Sequence, residues 1–138
     1  MPRSTPSARG DDTHAYLIRG GRPMSGTLKP GGNKNAALPM LAAALLGEHA
    51  VRLRNVPAIR DVHDMIRLVR SLGAEVRELE AGAWEIDGSS VERHESDPEV
   101  AGEIRASFLL AGPLLARWGR AELPRPGGDR IGRRPLDT

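Results

Sequence analysis

Residues 60–87 read RDVHDMIRLVRSLGAEVRELEAGAWEID, and this stretch decides the fold class. Val62, Met65, Ile66, Val69 and Leu72 recur at three- and four-residue steps, the spacing that lines one face of an α-helix. Arg60, Asp64, Arg67 and Arg70 fall outside that stripe and are read as mostly solvated, with His63 and Asp64 on a wet flank. Asp61 suits an N-cap and Gly73 a C-cap. Past Gly73 the apolar period shortens: residues 74–79 and 83–87 are read as a hairpin turning through Glu80-Ala81-Gly82. A helix that runs straight into a hairpin sets a mixed α/β class.

The flanking sequence extends that pattern in both directions. Residues 51–55 alternate at strand period and are broken by Pro57. Residues 33–46, NKNAALPMLAAALL, are apolar on nearly all faces and read as a helix buried on several sides, ended by Gly47. Pro39 is expected in the first turn of that helix, where a missing N–H costs nothing. Residues 14–19 and 27–29 read as short strands separated by glycines and prolines, and polar residues 1–12 as a mobile tail. Beyond the hairpin, a polar segment at 89–98 leads to a long helix over about residues 99–118, bent at Gly112-Pro113, and then to a strand at 121–123. The order β, β, α, β, α, β, β, α, β contains one βαβαββ unit and the start of a second. Residues 13–138 are therefore expected to form a partial domain, and the ending inside a loop points to a fragment.

Composition narrows the function. The chain has 138 residues with a formal net charge of +2, so nothing implies a polyanion tract. Its aromatics are only Tyr16, Trp84, Phe108 and Trp118, too few for the row of stacking platforms that a single-stranded nucleic-acid binder uses. Trp84 and Trp118 are read as core or core-edge residues. Cysteine is absent, which removes disulfides and thiolate chemistry, and His14, His49, His63 and His94 show no metal-ligand spacing. The longest apolar run, residues 106–116, spans 11 residues, against the ~20 needed to cross a bilayer. No signal-peptide pattern precedes it. A soluble, cytoplasmic protein without membrane or nucleic-acid partners is expected.

Two segments have the character of ligand sites. In Pro30-Gly-Gly-Asn-Lys-Asn-Ala-Ala37 a Gly-rich turn feeds a helix, with Lys34 at the junction. Unpaired N–H donors at a helix start favour an anion, and Lys34 adds a full charge. The spacing is not that of a Walker A loop, and an ordinary turn with a solvated Lys is the alternative. Lys34 is one of only two lysines against 18 arginines. The second segment, Pro126-Gly-Gly-Asp-Arg-Ile-Gly-Arg-Arg-Pro-Leu-Asp137, concentrates glycine, arginine and aspartate, either as an oxyanion and hydroxyl grip or as a solvated connection. Arg105, in a helix among apolar neighbours, is read from its surroundings as snorkelling to solvent.

Taken together, GGNKNAALPMLAAALL at 31–46, NVPAIRDVHDM at 55–65, LGAEV at 72–76, IRASFLLAGPLLARWG at 104–119 and PGGDRIGRRPLD at 126–137 resemble the UDP-N-acetylglucosamine 1-carboxyvinyltransferases. The resemblance runs from about Tyr16 to the last residue. It implies an inside-out α/β barrel of enolpyruvyl transferases built from repeated βαβαββ units, of which this is an N-terminal portion, its first strand belonging with the second domain. The implied reaction transfers the enolpyruvyl group of phosphoenolpyruvate to the 3-hydroxyl of UDP-N-acetylglucosamine and releases phosphate, the first committed step of peptidoglycan precursor synthesis. No cofactor is implied.

By the same resemblance, Lys34 and Asn35 contact phosphoenolpyruvate, and Lys34 also stabilises developing charge. Arg105 matches a buried substrate-binding arginine, against its reading as a snorkelling side chain. Arg134, Pro135, Leu136 and Asp137 line the sugar-nucleotide site. Asp129 stands where most members carry the cysteine that acts as general acid and is alkylated by fosfomycin. A carboxyl serves as that acid if partial desolvation raises its pKa, which neighbouring Arg130 opposes. The family's catalytic base lies in the second domain, so the isolated chain is expected to be inactive. Three alternatives stay open: a shikimate-pathway or specialised enolpyruvyl transferase, a non-catalytic remnant that binds a UDP-sugar or a partner protein, and, least supported, a nucleic-acid module.

Overall fold

The apolar segment after Asn33 forms helix α1, Lys34–Ala43, and the amphipathic stretch after Ile59 forms α2, Arg60–Ser71, in a computed structural model that describes residues 16–21 and 23–127. Val62, Met65, Ile66, Leu68 and Val69 are buried along α2, with Leu72 just beyond. Gly73 then adopts φ 104°, a left-handed turn that L side chains rarely take, and reverses the chain. Strands β2 (Glu75–Glu80) and β3 (Ala83–Asp87) form the expected antiparallel hairpin, with Gly82 at φ 75° in its turn. Strand β1 (Val51–Leu53) pairs antiparallel with the other edge of β3, so the sheet order is β1-β3-β2.

The register sorts the two faces of the sheet. Val51 and Val76 both lie opposite Ile86, and Leu53 lies opposite Trp84, which gives an apolar face against the helices. On the other face Arg52 and Arg77 flank Glu85 of the central strand. Helix α1 packs on α2 and continues as a 3₁₀ turn, Ala44–Leu46. After the sheet come α3 (Pro98–Glu103), a 3₁₀ segment (Arg105–Leu110) and α4 (Ala111–Trp118). Leu41, Leu45, Met65, Leu68, Leu72, Ile86, Leu110 and Leu114 are fully enclosed at the centre of this core. Trp84 is buried and Trp118 packs at the core's edge, in agreement with the sequence reading.

Several expectations are corrected. Residues 16–19 and 27–29 are not strands: Tyr16, Leu17, Ile18 and Leu28 are each more than four-fifths exposed, and no described strand pairs with them. A strand forms only where a partner takes up its backbone donors and acceptors. The expected strand at 121–123 is a single parallel bridge between Glu95 and Glu122. The long helix breaks earlier than Gly112-Pro113, at Ile104, whose extended φ −128° and ψ 140° separate α3 from the 3₁₀ segment. Pro113 instead sits in the first turn of α4, where its missing N–H is no loss.

Pro39, by contrast, is the sixth residue of α1 and not in its first turn, because Asn33 caps the helix and starts it early. The buried face of α1 carries Ala37, Leu38, Leu41 and Ala42, whereas Met40 and the following Leu46 are half exposed, so the helix is covered on one side only. Asp61 is not an N-cap: Ile59 holds that position without a side-chain bond, and Asp61 lies in the first turn. Asp64 is buried and not solvated, and His63 meets Trp84 edge-on at 6.3 Å between ring centroids. Among the described residues no helix is long and apolar enough to cross a membrane. The expected tail at 1–12 lies outside the described residues.

Candidate functional site

The Gly-rich turn before α1 is built against the turn before α2. A Cβ on Gly32 would stand 1.9 Å from the Asn55 carbonyl oxygen and 2.8 Å from Pro57 Cδ, so only glycine lets these two loops touch. Asn33 Oδ1 accepts from the Asn35 N–H at 2.7 Å and satisfies one of the free donors at the helix start. One residue on from the cap, Lys34 Nζ donates to Asp61 Oδ2 at 2.7 Å. The first turns of α1 and α2, the ends that carry the free N–H donors, are thereby fastened together. Both partners are about half exposed, a setting in which an ion pair is worth ~0–1 kcal/mol and exchanges readily for an anionic ligand.

Pro39 adds a second feature to that helix start. Lacking an N–H, it cannot bond the Asn35 carbonyl four residues back, so that carbonyl loses its i+4 helical donor. Asn35 is exposed.

Arg105 opens the 3₁₀ segment that packs against α1. It is exposed, not buried as the resemblance implies, because the extended Ile104 puts its own side chain into the core and turns the next residue outward. Glu103, two residues earlier, lies 3.4 Å from Arg60 NH2 and 3.7 Å from Arg67 NH1. Those arginines also reach Asp64, at 3.5 Å and 3.4 Å. Gly127 approaches the same helix end: a Cβ there would fall 1.3 Å from the Gly102 carbonyl oxygen. Asp129, Arg134, Pro135, Leu136 and Asp137 lie outside the described residues.

Of the residues singled out in the sequence, the structure places Lys34, Asn35 and Arg105 on two elements packed together. Sequence reasoning misses Asp61 as the partner of Lys34 and misses the cluster Arg60, Asp64, Arg67 and Glu103. Only the i,i+3 and i,i+4 spacing of Arg60, Asp64 and Arg67 signals any of it. The histidines show no metal-ligand spacing along the chain, yet His94, Glu95 and Glu122 bring ligand atoms within 4.8 Å of one another through the 95/122 bridge. Glu122 there is ion-paired with Arg120. On the far face of the sheet Arg52 and Arg77 hold the Glu85 carboxyl below its ordinary range, and the Ser89 hydroxyl and N–H do the same for Asp87.

A family model described as EPSP synthase (3-phosphoshikimate 1-carboxyvinyltransferase) matches residues 18–138. The chain belongs to the EPSP synthase family. Within it, the chain is 53% identical over 89% of its length to the UDP-N-acetylglucosamine 1-carboxyvinyltransferase of Bradyrhizobium diazoefficiens, covering 28% of that protein. It is 49% identical over 91% of its length to the enzyme of the same name from Treponema denticola, covering 29% of it. This EPSP synthase family chain therefore spans less than a third of the relatives it matches. The enolpyruvyl transferase NikO from Streptomyces tendae superposes with a TM-score of 0.63 at 29% identity, over 74% of this chain and 24% of NikO. That likeness and the helix-on-sheet layers agree on an α/β fold of the enolpyruvyl transferase kind.

Proposed function

We propose that this chain is part of a UDP-N-acetylglucosamine 1-carboxyvinyltransferase, working in the cytoplasm on peptidoglycan precursors. The carrying observation is the 53% identity, over 89% of the chain, to a relative of that name. In this reading residues 13–138 are a portion of an inside-out α/β barrel whose remaining units lie elsewhere in the enzyme.

The reaction adds the sugar 3-hydroxyl oxygen to C2 of phosphoenolpyruvate while C3 takes a proton. A proton then leaves C3 and the C–O bond to phosphate breaks, which restores the vinyl group on the sugar. Each step needs cations near phosphate and carboxylate, and an acid near C3. Lys34, at two converging helix starts, is suited to the phosphate, exchanging Asp61 for it. Asn35 lies beside it on the first turn, and Arg105 supplies a second cation from the adjoining 3₁₀ segment. Asp129 serves as the acid, and Arg134, Pro135, Leu136 and Asp137 line the sugar nucleotide. No step requires a cofactor.

The family description names 3-phosphoshikimate, which favours a shikimate-type acceptor as the second reading. Replacing the matching segment of the Bradyrhizobium enzyme with this chain tests both. The graft is expected to release phosphate from phosphoenolpyruvate with UDP-N-acetylglucosamine and not with shikimate 3-phosphate, and Lys34→Ala should abolish it. Turnover only with shikimate 3-phosphate would replace the first reading by the second. Sugar-nucleotide binding without turnover would favour a non-catalytic binding role.

A further inference from the structure

We propose that Glu103 is a positioning residue for Arg105, and that its grip by Arg60 and Arg67 sets where Arg105 meets an anionic substrate. The proposal rests on the reading of Arg105 as a substrate ligand. Its foundation is Asp64, whose side chain is only 7% exposed. A carboxylate so enclosed needs cationic neighbours. The helix supplies them: Arg60 Nε stands 3.5 Å from Oδ2 at i,i+4 spacing, and Arg67 NH1 stands 3.4 Å from Oδ1 at i,i+3 spacing. Both guanidinium groups then reach across to α3 and meet the same oxygen, Oε2 of Glu103. The carboxylate is held from two directions.

The residues after Glu103 convert that grip into a position for Arg105. The helix stops at Ile104, which is 4% exposed, and Ser107 Oγ donates to the Ile104 carbonyl at 2.9 Å. Arg105 therefore lies between a clamped carboxylate and a buried apolar anchor on one side and a hydroxyl-braced turn on the other, while remaining exposed itself. Gly127 approaches the Gly102 carbonyl on the same helix. The four charges of the cluster balance. Neutralising Glu103 leaves a cationic excess beside Arg105 and releases the helix end that fixes its backbone. The pairs reaching Glu103 are solvent-exposed, so they add little to stability, and a positional effect is separable from unfolding.

The test uses the grafted full-length transferase with Glu103→Gln, Arg105→Gln and the double variant, measuring kcat and KM for both substrates and the melting temperature. Glu103→Gln is expected to raise the KM of an anionic substrate ~10-fold while kcat changes less than about 2-fold. Glu103→Asp should recover part of that loss. In the Arg105→Gln background, adding Glu103→Gln should change KM by less than ~2-fold, because a residue acting through Arg105 has nothing left to position. Additive effects, or a KM that does not move, overturn the proposal. If Arg105→Gln raises KM and Glu103→Gln does not, the positioning role alone fails. If Arg105→Gln leaves both KM values unchanged, the substrate reading of Arg105 fails and this role with it. Should Glu103→Gln not fold, Arg67→Gln loosens the same carboxylate and is judged by the same criteria.

Discussion

In the proposed function, a carboxylate at position 129 changes one chemical liability and keeps a group that can donate a proton. A thiolate is a strong nucleophile toward an epoxide and a carboxylate at ambient pH is a weak one, whereas either group in its protonated form donates a proton. The grafted transferase is therefore expected to keep its activity through prolonged exposure to fosfomycin, and Asp129→Cys should make the loss time-dependent and covalent. Inactivation of the Asp129 enzyme with a matching mass increase would contradict this. At the same scale, Lys34 is legible because a Gly-rich turn before an apolar helix marks a helix start. Its partner is not, since Asp61 lies 27 residues away and suits a cap equally well. Asp64 escapes the sequence because periodicity treats a charged residue off the apolar stripe as solvated. It is buried instead, with arginine guanidinium groups at three- and four-residue spacing beside its carboxylate.

Elements whose partners are local are legible, and those that depend on distant chain are not. Helix α2 and the β2–β3 hairpin carry their periodicity, turn glycines and pairing partners within 28 consecutive residues, 60 to 87. The short strands expected near residues 14–19 and 27–29 have suitable composition, yet nothing among the described residues pairs with them. The break at Ile104 comes from burying that side chain while Glu103 reaches α2, which no local signal encodes. The central strand offers a pH test. Glu85 Oε2 accepts from Arg52 Nε at 2.6 Å and Oε1 from Arg77 NH2 at 2.5 Å, and these bonds, Arg52's foremost, outweigh desolvation and hold its pKa below the ordinary 4.5. A folded pKa below the unfolded one contributes stability that is complete above the unfolded value. That contribution is lost as pH falls through the depressed folded value. Urea midpoints of the native chain should therefore fall across that acid window. Glu85→Gln should be less stable at pH 7, and the difference should shrink on acidification. An unchanged difference at all pH values would mean the two arginines do not stabilise the ionised carboxyl.

At the scale of the molecule, the chain covers 28% of its Bradyrhizobium relative, and its surface is consistent with contacts made elsewhere in such an enzyme. Tyr16, Leu17, Ile18, Met24 and Leu28 are almost fully exposed, and Phe108 and Leu115 are about half exposed beside the helical layer. In the proposed function the chemistry divides in the same way. The proposed cations and the proposed acid fall within these residues, while removal of the sugar hydroxyl proton needs a base that the family resemblance assigns to the second domain. In that reading the cations bind phosphoenolpyruvate, but without the base the acceptor oxygen would stay a weak nucleophile and the tetrahedral adduct would not form. The purified 138-residue chain, given phosphoenolpyruvate and UDP-N-acetylglucosamine, should therefore release no phosphate above the protein-free rate. The graft, which adds the remaining units, should release it. Release by the chain alone that disappears in Lys34→Ala would locate a base within these residues and overturn the division of labour.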